Sequence, residues 1–192
     1  MEWEKVNVHG IKTCYEFGEL VLVAVHRPGE KDLLIHNDLN LSSKLFKDAT
    51  LYMLDEWEDS WNCLYGEGSA DLIVGHGLRG DFKKHLDLVK EVKRSSAPIL
   101  QNEGKRFPLS SLCLWNGVQG RFGALMDDLR SFVAVRRGDH TRLARSALIE
   151  ARLSVELFKT MRKEARVRFL DANTGQLAYA PYVWPQNTGE EE

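Results

Sequence analysis

A chain of 192 residues, 43% hydrophobic and 28% charged, can bury one sizeable core and is short for two. No run of about 18 apolar residues occurs, so no spanning helix is expected. The acidic start Met1-Glu2-Trp3-Glu4 lacks the basic and apolar regions of a secretory signal, which points to an intracellular protein, cytoplasmic or nuclear, with no membrane partner. The net charge of −2 hides a split: residues 129–168 hold eleven Lys and Arg against four acids, and residues 1–128 carry an acidic excess. Such local basicity either attracts phosphates or is the solvated face of an amphipathic helix. Cys14, Cys63 and Cys113 are far apart and in no metal-ligand spacing, so neither a disulfide framework nor a zinc site is expected.

In chain order, the first forty residues read as strands. Lys5 to Val8 alternates, Glu19 to His26 is apolar and β-branched, and the turn Arg27-Pro28-Gly29-Glu30 leads to Asp32 to His36 as a hairpin. Asn40 to Trp61 has helical spacing in Leu45, Leu51, Leu54 and Trp57. Ala70 to Val74 is a short apolar run suited to a buried central strand, and Asp81 to Lys93 predicts an amphipathic helix. Ala97 to Leu100 suits a strand, because Pro98 is barred from a helix interior. Phe107 to Trp115 is mixed, helix is expected within Arg121 to Val135, and Thr141 to Phe169 is the longest helical signal. The segment from Asp171 reads as irregular and ends in Glu190-Glu191-Glu192. The pattern implies an α/β domain with helices packed on a mixed sheet.

The segment Asp71 to Asp81 carries the most chemistry. Gly75, Gly77 and Gly80 form G-x-G-x-x-G between a strand and a helix, the context of a dinucleotide-binding turn. Against that reading, some seventy residues precede the strand, and no acid closes an obvious second strand, Glu103 being a poor candidate. In the other reading, Leu72, Ile73, Val74, Gly75, His76, Leu78, Asp81 and Leu86 resemble the second motif of the DEDDh 3′→5′ exonucleases, especially their RNA exonuclease subgroup. Farther on, Arg145, Glu150, Ala151, Arg152, Ser154, Glu156, Leu157 and Phe158 resemble the third motif. Arg145 then stands at the general-base histidine and Glu150 at a metal-binding aspartate. The first motif, Asp-x-Glu on the opening strand, is met by His9 and Ile11.

The resemblance implies an RNase H-like mixed β-sheet flanked by α-helices, one exonuclease-type domain over residues 1–170, and an irregular acidic tail over 171–192. Its catalytic positions are Asp81, Glu150, Arg145 and His9. Members of the family hold two divalent metal ions between four carboxylates, one ion activating water and the other stabilising the leaving oxygen. Here Asp81 and Glu150 remain as oxygen ligands for Mg2+ or Mn2+ if the domain is active, and no cofactor is expected if it is not. Isoleucine cannot ligate a metal, and an arginine at 145 stays charged and cannot act as base. It could instead pair with Asp81 or Glu150 as a fixed cation. The resemblance therefore implies a catalytically degenerate domain, with His76, Arg137, His140 and Arg142 as contacts to single-stranded RNA or DNA. An active exonuclease with an atypical site and a domain that binds only a protein partner are the alternatives.

Overall fold

The computed structural model describes residues 7–54, 72–76, 101–102 and 105–181. The chain opens with β1 (Val8–Glu16), β2 (Glu19–His26), β3 (Asp32–His36) and β4 (Ala49–Met53). β5 (Leu72–Val74) and the short pair β6 (Gln101–Asn102) and β7 (Lys105–Arg106) follow. Three helices come next: α1 (Leu109–Trp115), α2 (Asp128–Arg137) and α3 (His140–Glu164). A hairpin of β8 (Arg166–Leu170) and β9 (Leu177–Pro181) closes the described chain.

Five strands form one mixed sheet in the order β4-β3-β2-β1-β5. β1, β2 and β3 run antiparallel in sequence, while β5 lies parallel to β1 and β4 parallel to β3. A two-residue turn, Phe17-Gly18, joins β1 to β2 with φ of 50° and 78°. Such left-handed turns match the twist of a hairpin, but a phenylalanine occupies this conformation at a steric cost that glycine does not bear.

Period-two alternation decides what α3 sees. The even-numbered residues of β1 turn toward α3: Cys14 shares a cluster with Leu22, Ala24, Leu34, Ala144 and Ala147, and Val8 shares another with Val155 and Phe158. A methyl on Gly10 would overlap the carbonyl oxygen of Ala151 and press on Val155, so the strand and helix backbones meet directly there. The opposite face is buried too, with His9, Ile11, Val23, Val25, Leu33 and Ile35 all at 1% exposure or less. A sheet covered on both sides explains the near-continuous apolar runs of β2 and β3.

Caps and side-chain clasps fix the helices. The Asp127 carboxylate accepts from the Arg130 N–H at 2.7 Å to start α2, and Gly138 ends it at φ 74°. The Ser146 hydroxyl accepts the Met126 N–H at 3.0 Å and ties the segment before α2 to α3. His140 holds a corner: its Nδ1 accepts the Asn40 N–H at 2.8 Å, and its Nε2 lies 3.3 Å from the Val135 carbonyl. Buried Asn116 accepts the Arg168 N–H at 2.9 Å and donates to the Arg168 and Leu112 carbonyls, at 3.0 and 2.8 Å. Its carboxamide thus completes the ladder of β8 and joins that strand to the end of α1.

Four expectations need correction. Within Asn40 to Trp61, the described residues form a 3-10 turn at Ser43–Leu45 and the strand β4, not a helix, because Ala49–Met53 pairs along the whole length of β3. The long helix stops at Glu164, where Ala165 turns left-handed at φ 52°, and Arg166–Leu170 is strand. The segment after Asp171 is not irregular throughout, since Leu177–Pro181 pairs with β8 and carries ordered structure across the 170/171 boundary. Finally, the opening strand is the nine-residue β1, of which the expected Lys5 to Val8 run contributes only Val8 among the described residues. The helix expected over Asp81 to Lys93 and the strand expected over Ala97 to Leu100 lie outside the described residues, as does the acidic end 182–192. No helix among the described residues is long and apolar enough to cross a membrane.

Candidate functional site

The edge of β1, the start of α1, the segment before α2 and the middle of α3 enclose a cleft of about 750 Å3. Lys12, Thr13 and Tyr15 reach it from β1, His76 from the end of β5, Phe107 and Ser110 from the start of α1, Asp128 and Ser131 from α2, and Glu150 from α3. At its base Lys12 Nζ stands 3.3 Å from Glu150 Oε1, with the two side chains 16% and 8% exposed.

Burial alone would lower the Lys12 pKa. The attraction of Glu150, supported by Cys14 and Asp128, overrides it and holds the ammonium above its ordinary value. Burial raises the Glu150 carboxyl above the ordinary carboxylate range, and Lys12 pulls it partly back while Asp128 adds to the rise. The pair is therefore a strained partnership in which each charge depends on the other. Burial pushes the neighbouring Cys14 and Cys113 thiols up to about 12, which disfavours their thiolate forms. Cys63 lies outside the described residues.

The residues singled out from sequence separate into four places. Glu150 enters the cleft, as does His76, whose Nε2 lies 2.7 Å from the Phe107 carbonyl. His9 is 1% exposed and sits on the sheet face opposite α3, so it cannot join Glu150. Arg145 is exposed with its guanidinium 5.9 Å from the Phe46 ring centroid. Five residues along a helix turn it about 140° from Glu150, and the fixed cation expected at Arg145 is supplied by Lys12 instead. Arg137 and Arg142 are exposed where α2 meets α3, while the His140 ring is engaged in the corner clasp. Asp81 lies outside the described residues.

The two segments expected to share a pocket do meet in their described parts. Val74, Gly75 and His76 line a small cavity together with Ser154, Leu157 and Phe158 of α3. No protein-family model matches the chain, and no curated protein matches it. The site therefore rests on its own geometry. Among the described residues no group of three His, Cys, Asp or Glu side chains is placed to hold a metal ion.

Sequence reasoning missed Lys12 and Gly10. The available signal was a lysine inside a strand otherwise buried on both faces, since a buried ammonium demands a carboxylate partner. It also looked to His9 and Ile11, whose side chains lie on the sheet face opposite α3. A one-residue slip on a strand moves every side chain to the other face, and the positions that meet α3 are Gly10 and Lys12.

Proposed function

We propose that this chain is a catalytically silent RNase H-like domain of the DEDDh exonuclease type that serves as a nucleic-acid-binding module. Its support in the fold is an antiparallel β1-β2-β3 with β5 parallel to β1 and a long helix across one face. In that reading Gly10 and Lys12 occupy the Asp-x-Glu positions of the first motif and Glu150 the acidic position of the third.

The observation that carries silence is the Lys12–Glu150 pair beside Gly10. Hard divalent ions require several oxygen ligands around a common space. Here one such position is a glycine pressed on the α3 backbone, the next is an ammonium, and the carboxylate opposite is engaged by that ammonium. These residues do not fit a two-metal centre, and no hydrolytic step is assigned to them. With Arg145 over Phe46, no general base comes from that position either. The surplus of Lys and Arg over residues 129–168 favours binding of phosphates over a role confined to proteins.

End-labelled single-stranded and duplex oligonucleotides, incubated with Mn2+ or Mg2+, test both parts. The expected result is no shortening together with retention that weakens as salt rises. Shortening that survives purification and is lost in Glu150→Gln would overturn silence, and absence of any retention would overturn nucleic-acid binding.

A further inference from the structure

The 25-residue α3 uses one side for the core and leaves the other in solvent. Leu143, Ala147, Ala151, Ser154, Phe158 and Met161 are buried, whereas Arg142, Arg145, Arg152, Lys159 and Lys163 are exposed. At 100° per residue the five cations fall within an arc of about 100° opposite the buried side, and from Arg142 to Lys163 they extend over about 31 Å. Glu156 is the acid within the arc, and it pairs with Lys159 at 3.5 Å. Arg142, Arg145, Arg152 and Lys163 form no ion pair with a described residue. Arg145 lies against Phe46, so its guanidinium is presented on a fixed aromatic support rather than on a free stem.

Resting on the nucleic-acid reading above, we infer that this outer face of α3, and not the cleft, docks the phosphate backbone of a double-helical nucleic acid. The stripe is straight and rigid because the helix is anchored along its length by the core. Single-strand binders combine cations with aromatic platforms for unstacked bases, and the exposed arc of α3 contains no aromatic side chain. What it offers is a line of cations, which suits a duplex whose phosphates are held outward at fixed positions and read without regard to sequence. A lipid surface suits it less, because a helix that lies in a membrane interface needs a free apolar side, and that of α3 is buried in the protein.

The test is binding of a fluorescently labelled duplex of about 20 base pairs to the whole chain, followed by anisotropy across a salt series. The comparison is a variant carrying Arg142→Gln, Arg145→Gln, Arg152→Gln and Lys163→Gln. Four to five phosphate contacts give a log–log salt slope near −4 for the native protein, and the variant is expected to bind about 30-fold more weakly with a slope near −1. Native-strength binding by the folded variant overturns the stripe while leaving nucleic-acid binding intact. Tighter binding of the unpaired strand than of the duplex overturns the duplex assignment. Failure of the native protein to bind either form removes the nucleic-acid reading and this proposal together. Acylation of lysines on the native protein supplies a check independent of the variant's folding: Lys159 and Lys163 should be protected by bound duplex, and unchanged reactivity in a saturated complex overturns the stripe.

Discussion

Replacing Lys12 by Met keeps much of the side-chain volume and removes the ammonium that faces Glu150. The carboxyl then loses both influences that draw its pKa down, the charge and the hydrogen bond of Lys12, and keeps the burial that raises it. A carboxyl whose folded pKa lies above its unfolded one costs stability when ionised. That cost is absent at acid pH and complete once the pH has risen past the folded value. The Lys12→Met protein should therefore lose about 1 kcal/mol near pH 4, from packing, and about 3 kcal/mol near pH 8, where the carboxylate is charged with no partner. For a chain of this size 3 kcal/mol corresponds to a fall in Tm of about 6–12 °C. Glu150→Gln reports the same pair from the other side: near pH 8 it leaves the Lys12 ammonium without its carboxylate, whereas near pH 4 the native carboxyl, raised by burial, is itself protonated, so the loss caused by the amide should also shrink on acidification. The Lys12→Met/Glu150→Gln double variant should recover about 2 kcal/mol relative to the sum of the singles, because breaking a buried pair costs more than replacing both partners. Urea unfolding of the four proteins at the two pH values measures all of this. Additive losses at pH 8, or an equal loss for Lys12→Met at both pH values, would refute the coupling.

The remaining predictions concern packing and backbone. Gly10→Ala drives a methyl into the Ala151 carbonyl and should cost more than about 3 kcal/mol, seen as loss of soluble protein or a Tm drop of at least 6 °C. Gly120→Ala is the contrast: its methyl meets the Leu153 Cδ2 at 2.5 Å, the end of a flexible side chain, and about 1 kcal/mol is expected in the same melting assay. Phe17→Gly relieves a left-handed phenylalanine that is 77% exposed, at the loss of its ring contacts with Phe132 and Arg136, and should stabilise by about 1 kcal/mol in urea unfolding, a destabilised variant refuting the strain. His140→Leu deprives the Asn40 N–H of its acceptor and should cost about 1 kcal/mol, with faster hydrogen exchange at that amide as the local readout.

What was legible in the sequence follows from what is local in the physics. The apolar runs of β2 and β3 and the spacing of Leu143, Ala147, Ala151, Val155 and Phe158 announce their elements without help from distant residues. Glu150 was singled out by the resemblance of Arg145 to Phe158 to an exonuclease motif, and the structure places it in the cleft. The face of β1 was not readable: with Gly10 and Cys14 buried on one side and His9 and Ile11 on the other, hydrophobicity does not specify which parity meets the helix. β4 looked helical because Leu51 and Leu54 also fit a period near 3.6, and only the non-local parallel ladder with β3 decides between the two. β8 was absorbed into α3 for a related reason: Ala165 carries no glycine-like signal for the left-handed turn that ends the helix.

The carboxamide of Asn116 gives the terminal ribbon a particular kind of independence. Among the described residues β8 and β9 share no ladder with the five-stranded sheet, and a single side chain supplies part of their connection to the body through the Arg168 peptide. Cooperative units in proteins separate where few bonds cross between them. Val167 is buried beside Leu112, Leu157 and Met161 and Phe169 packs on Phe107, so opening of the ribbon has to break that packing and is expected to occur in one piece. Its exchange-protected amides would then share one opening free energy, below that of global unfolding, and shortening Asn116 to Ala would lower that value for the ribbon as a block.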